Sequence, residues 1–212
     1  MKTFLSLAAG LLAVSTAGAQ IPAYAAAPRV TPAKGEHVAV LAGGCFWGVD
    51  AVFKHVKGVK SVVSGYSGGG SATARYQIVS TGATGHAESV KITYDPSRIS
   101  YSELLRVFFS VAHDPTQLNR QGPDVGSQYR SVIFYSNETE KQTAQAYIAQ
   151  LSNAAVFSGP IVTQVVPFDG FYAAEDYHQN YLAKHTDQPY IAFNDLPKLK
   201  RLQQQFPMLY RE

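Results

Sequence analysis

The sequence predicts an α+β fold: a two-layer α/β sandwich with helices over one mixed, largely antiparallel sheet. Three observations predict it. Hydrophobic periodicity gives the order strand–helix–strand–strand–helix–strand, then a further helix and strand, which suits two packed layers. The strand candidates are short and bounded by turn residues. With 212 residues, 46% hydrophobic and 16% charged, and no repeat or linker, the chain has the content of one ordinary globular domain.

Each element has its own signal. Residues 37–42 form a short apolar run and read as a buried strand. From Val49 the apolar residues fall at 49, 52, 53 and 56, the stripe of an amphipathic helix, and Gly58 stops it. Residues 59–66 are rich in β-formers and end in Ser67-Gly68-Gly69-Gly70. In 85–94, Val90, Ile92 and Tyr94 alternate with Lys91 and Thr93 until Asp95-Pro96 ends the strand. Ser100 and Glu103 form a capping box that opens a helix through Val111. Residues 120–128 are a polar loop whose length points to function more than connection. A strand at 131–135 precedes a helix capped by Asn137, with Glu140 three positions on, ending near Leu151. Residues 161–166 are a strand and 174–185 a last short helix, followed by an irregular tail.

The first residues have another character. Lys2 gives a basic start, 4–14 an apolar stretch too short to span a bilayer comfortably, and small residues follow. Residues 1–25 therefore read as a signal peptide, with cleavage near 19 (Ala17-Gly18-Ala19) or 25 (Ala23-Tyr24-Ala25). Residues 26–36 read as an extended lead-in and 37–212 as a single catalytic domain. The mature protein is expected to be exported, periplasmic or secreted. The net charge of +3 is small and no basic run interleaves with aromatics, so nucleic acid is not an expected partner. One cysteine excludes an internal disulfide and a cysteine-rich zinc site. His86, His113 and His178 lack metal-ligand spacing, and no metal is expected.

The chemistry centres on Gly43-Gly44-Cys45-Phe46-Trp47-Gly48, where the only cysteine and the only tryptophan lie side by side at a strand-to-helix turn. Cys45 is placed in the first helical turn, where free N–H groups and the helix dipole favour negative charge, and its thiol pKa is expected to be lowered. A lone cysteine beside aromatics is otherwise a core residue. From spacing alone, Glu88 reads as an exposed residue opening an alternating strand, Asp124 as a turn former, and Tyr76 and Tyr129 as two of thirteen tyrosines.

Gly44-Cys45-Phe46-Trp47-Gly48 resembles the active-site signature of the A-class peptide methionine sulfoxide reductases. Gly82-Ala83-Thr84-Gly85-His86-Ala87-Glu88, Tyr94-Asp95-Pro96 and His113-Asp114-Pro115-Thr116 match in the same order. So do the run from Asn119 to Ser131, which holds Gly122-Pro123-Asp124-Val125-Gly126-Ser127-Gln128-Tyr129-Arg130, and Ala174-Glu175-Asp176-Tyr177-His178-Gln179. The resemblance implies a ferredoxin-like core with long decorating loops and thiol-dependent reduction of methionine S-sulfoxide, peptide-bound or free. Cys45 is then the nucleophile that becomes a sulfenic acid. Glu88 is the acid, Asp124 orients the site, and Tyr76 and Tyr129 donate hydrogen bonds to the sulfoxide oxygen. Phe46 and Trp47 hold the methyl group, and Tyr181 touches the substrate.

The departure from the family pattern concerns recycling. Many members carry further cysteines in a C-terminal tail; 186–212 has none, and Ser80 stands where some relatives carry cysteine. The expected reductant is external, a thioredoxin-like protein or a small thiol, with no bound cofactor. Oxidised proteins or peptides carrying methionine sulfoxide are the expected partners, and the chain is expected to act as a monomer. A cysteine hydrolase, a one-cysteine peroxidase and a non-enzymatic exported binding module are the alternatives weighed.

Overall fold

The computed structural model describes residues 21–25 and 35–212. Most of the expected signal peptide and lead-in lies outside the described residues. Strand β1 (His37–Gly43) leads into α1 (Phe46–Lys54), then β2 (Val59–Ser67), a short α2 (Tyr76–Val79) and β3 (Ala87–Tyr94). Helix α3 (Tyr101–Val107) follows, then the two-residue strands β4 (Arg120–Gln121) and β5 (Asp124–Val125), and β6 (Ser131–Tyr135). The chain continues through α4 (Glu138–Asn153), β7 (Gln164–Pro167), β8 (Tyr172–Ala173), α5 (Tyr181–Lys184) and α6 (Leu196–Gln205).

The main sheet has the order β7-β6-β1-β3-β2-β8. Its centre, β6-β1-β3-β2, is antiparallel throughout, with α1 and α3 as the two crossovers, which is the ferredoxin-like arrangement. Only β7 runs parallel to its neighbour, reached through α4. Period-2 alternation divides β1 between two faces. Ala39 and Leu41 join Val52 and Phe53 of α1, Leu104 and Leu105 of α3, and Tyr147 and Leu151 of α4 in one core. Val40 and Ala42 face the other way, with Val132 and Phe134, under Phe168 and Phe171.

Local signals placed the helix starts well. Ser100 and Glu103 form the reciprocal capping box, and the Asn137 side chain accepts from the Glu140 N–H at 2.9 Å. Three expectations change. The loop at 120–128 is a small β4–β5 hairpin followed by a 3₁₀ turn, Ser127–Tyr129. The helix expected over 174–185 breaks into a 3₁₀ turn, Asp176–His178, and α5, because Asn180 adopts the left-handed conformation (φ 56°). The tail is not irregular. Ile191–Asp195 is a π-helical turn running into α6, and Ile191, Leu202 and Phe206 are buried.

Candidate active site

Cys45 sits where β1 hands over to α1. Gly44 has φ +89°, and a β-carbon there would approach the Gln121 side chain to 2.5 Å, so this turn requires glycine. Gln121 can then bracket Asp114, accepting from its N–H at 3.1 Å and donating to its carbonyl at 3.0 Å. The hairpin carrying Asp124 is thereby held against the cysteine turn. Cys45 is the N-cap of α1, one position before the first turn, and is 7% exposed.

The thiol does not behave as the helix N-terminus alone would dictate. Burial pushes its pKa well above the usual range, and Glu88 and Asp195 add to the rise. The Trp47 N–H and Lys198 oppose it and lose. The helix-end effect is present, but desolvation beside two carboxyl groups outweighs it.

Glu88 is not exposed. Strand β3 is central, between β1 and β2, so both of its faces are covered, and Glu88 is 3% exposed. Its Oε2 accepts the Phe46 N–H at 3.0 Å, occupying one of the unpaired amides of α1. Burial drives its pKa up to about 8 against that hydrogen bond, with Asp124 and Asp195 contributing. At neutral pH it is chiefly a carboxylic acid beside a protonated thiol.

Two tyrosines complete the polar side. Tyr76 opens α2, and its N–H donates to Glu175 Oε1 at 2.9 Å; Glu175 Oε2 accepts from the Tyr66 hydroxyl at 2.9 Å. Tyr129 ends the 3₁₀ turn and is fixed by Arg130, which donates to the carbonyls of Ser127 (2.9 Å), His86 (3.1 Å) and Gly85 (2.8 Å). Burial first, then the Glu88 carboxyl, raises both phenols, so they remain hydrogen-bond donors.

The apolar side is a cluster of rings. Phe46 lies 5.0 Å and Tyr76 4.5 Å from the His178 ring. Trp47 Nε1–H donates to His178 Nδ1 at 3.1 Å, which sets the tautomer of that neutral imidazole with the proton on Nε2. Tyr181 stacks flat on Trp47, centroids 3.7 Å apart, so it backs the indole, and its hydroxyl donates to Gln188. His86 accepts from the Gly69 N–H and bonds the Gly70 carbonyl, and His113 is held by Ser131 and the Phe108 carbonyl. Among the described residues, no group of three or more His, Cys, Asp or Glu could hold a metal ion.

Sequence reasoning missed the late segment that closes the site. Tyr190 donates a hydrogen bond to Asp124 Oδ2 and meets Trp47 edge-on at 6.0 Å. Asp195, fully buried, pairs with the buried Lys198 at 3.0 Å, and a β-carbon on Gly48 of α1 would collide with both. Cys45, Gln121, Asp124, Tyr190, Phe193 and Lys198 line one cleft. The available signal was the three- and four-residue spacing of Leu196, Leu199, Leu202 and Phe206, which marks an amphipathic helix with Pro197 in its first turn. Nothing local marked Tyr190 or Asp195.

Comparison with known proteins bears on this arrangement. Residues 37–209 match the family model described as peptide methionine sulfoxide reductase. Peptide methionine sulfoxide reductase MsrA 2 of Mesorhizobium japonicum is 58% identical over 85% of this chain and 92% of its own length. The protein of the same name from Synechocystis is 55% identical over 84% of each chain. Among solved structures, methionine sulfoxide reductase A of Corynebacterium diphtheriae superposes with a TM-score of 0.62 at 36% identity, covering 73% of this chain and 77% of that one. Reduced Mxr1 of Saccharomyces cerevisiae gives 0.64 at 32% identity, covering 72% and 87%.

Proposed function

Because the chain belongs to the peptide methionine sulfoxide reductase family, we propose that Cys45 is the thiol that takes the substrate oxygen and Glu88 the acid that protonates it. The enzyme is an oxidoreductase that reduces methionine sulfoxide at the expense of thiols. The observation that carries the residue assignment is the buried, protonated Glu88, tied to the amide next to Cys45. The sulfoxide sulfur is electrophilic, and its oxygen carries the negative end of the bond. Glu88 gives that oxygen a proton while Tyr76 and Tyr129 donate hydrogen bonds to it. Cys45 Sγ attacks that electrophilic sulfur, and the oxygen then passes to Sγ as the transient bond between the two sulfurs and the substrate S–O bond break. The thiol proton passes to the Glu88 carboxylate, so the sum is thiol plus sulfoxide giving sulfenic acid plus thioether. Phe46 and Trp47 provide the dry wall for the methyl group, and Asp124 orients the site.

No second cysteine exists in the chain, so an outside thiol must attack the sulfenic sulfur and release water. A second thiol then frees Cys45 and leaves a disulfide; a thioredoxin-like protein or a small thiol serves. The histidines near the site are committed to other partners, which disfavours a cysteine hydrolase. Reduced enzyme mixed with excess racemic methionine sulfoxide peptide and no reductant should release about one methionine per enzyme, from the S epimer, as expected when one thiol is consumed. Dimedone should trap one added oxygen on Cys45. An unmodified Cys45 after turnover would overturn the assignment.

The proposal extends to export, with cleavage after Ala19 rather than Ala25. Residues 21–25 support this, because they pack on the catalytic domain. Ile21 is buried in the core and its carbonyl accepts from Arg106 at 3.1 Å. The Pro22 carbonyl accepts from Tyr147 at 2.7 Å, and Gln150 brackets Ala23 and Ala25 at 2.8 Å each. Cleavage at 25 would strip this strap and expose apolar surface. The intact mass of the exported protein should correspond to a chain starting at Gln20; a start at Ala26 would refute it. Among the described residues no helix is long and apolar enough to cross a membrane.

A further inference from the structure

We propose that Tyr190 is a positioning residue for the reaction: its hydroxyl holds the Asp124 carboxylate and its ring edge holds Trp47, so that the C-terminal segment forms the outer wall of the Cys45 site. The inference rests on the reductase reading above. It goes beyond that reading because Tyr190 lies in the tail, outside every motif that carries the family resemblance.

The geometry is specific. One side chain, half-buried, touches a polar and an apolar member of the site at once: a hydrogen bond to Asp124 Oδ2 and a T-shaped contact with Trp47 at 85°. The segment cannot drift, because Ile191 packs under α1 and α5, and the buried Asp195–Lys198 pair sits against Gly48. Asp124 is faced by Tyr190 and Lys198 from this segment, and by Asp195. From the other side it is faced by Glu88, Tyr76 and Tyr129, with Cys45 in the same cleft. Two carboxyl groups near one thiol need their protons apportioned. A phenol that donates to Asp124 favours its charged form, which leaves the proton on Glu88, the group that must give it away.

The test is Tyr190→Phe, which keeps the ring on Trp47 and removes only the hydroxyl. A hydrogen bond to a charged group is worth enough that kcat/KM should fall on the order of tenfold. The acid limb of the pH profile should move to higher pH, since Asp124 loses a donor that favours its charge, while the alkaline limb stays in place. Combining Tyr190→Phe with Asp124→Asn should cost no more than Asp124→Asn alone, as expected for two residues acting as one unit. Unchanged emission from Trp47, the only tryptophan, checks that the wall remains standing. Additive losses in the double variant, or a fall in kcat/KM with an unmoved acid limb, would overturn the proposal. If Tyr190→Phe loses nothing while Cys45→Ser still abolishes reduction, this inference fails and the reductase reading stands.

Discussion

The two walls of the Cys45 site are built in opposite ways. The inner wall, Phe46, Trp47 and Glu88, grows from the cysteine turn and a central strand, and Glu88 reaches it through a single backbone amide. The outer wall, from Tyr190 to Lys198, arrives about 145 residues later along the chain and is locked by a buried ion pair. On the proposed mechanism the inner wall supplies the groups that react and the outer wall the groups that hold. Cys45 and Glu88 sit on a central strand and the turn beside it, where packing keeps their geometry.

This contrast predicts a graded series. Cys45→Ser should have the largest effect, abolishing reduction while the protein stays folded, because serine keeps the shape and lacks the polarizable sulfur. Comparable turnover by the serine variant would remove Cys45 from the inner wall's chemistry.

Glu88→Gln should come next, lowering the single-turnover rate by roughly 10²–10⁴-fold, the usual worth of a general acid, with a smaller effect on binding. Wild-type kcat/KM should fall as pH rises through about 8, where Glu88 loses its proton, and glutamine should abolish that limb. The linked stability effect has a definite sign. The folded pKa is raised from 4.5 to about 8, so the contribution of Glu88 is fully present below 4.5, shrinks as pH rises and is gone above about 8. Melting curves of wild type and Glu88→Gln, compared across that window, should diverge accordingly; a constant difference would contradict the assignment.

Asp195→Asn should have the smallest effect on the chemical step and the clearest one on stability. It leaves Lys198 as a buried charge without its partner, a change that costs on the order of 3–5 kcal/mol. The midpoint of urea unfolding should drop, while single-turnover rates per folded molecule fall far less than in Glu88→Gln. A rate loss as large as that of Glu88→Gln would erase the distinction between the walls.

Much of this was legible in the sequence where the cause is local. Strand 131–135 matches β6 residue for residue, and Ser100 and Asn137 mark the starts of α3 and α4, because caps and alternation act over three or four residues. The helix expected through Val111 does run to Ala112; what was not legible is that its last turn, Phe108–Ala112, widens to π geometry, where the His113 ring packs 4.0 Å from Phe108. The tail misread as irregular carries a helix whose apolar residues find partners on α1 and α5. Its periodicity was visible, while its place against Cys45 was not.

By itself the sequence determined the order of the main strands and helices as far as β7, the one possible thiol nucleophile, the aromatics beside it and the need for an outside reductant. These follow from residue identity and near-neighbour spacing. Only the tertiary structure decided which groups hold protons. Cys45 was expected to ionise readily at a helix N-terminus, yet burial beside Glu88 and Asp195 raises it; Glu88, read as exposed, is buried and protonated. Protonation depends on desolvation and on charges brought from distant parts of the chain, and neither is written in the spacing of residues along it.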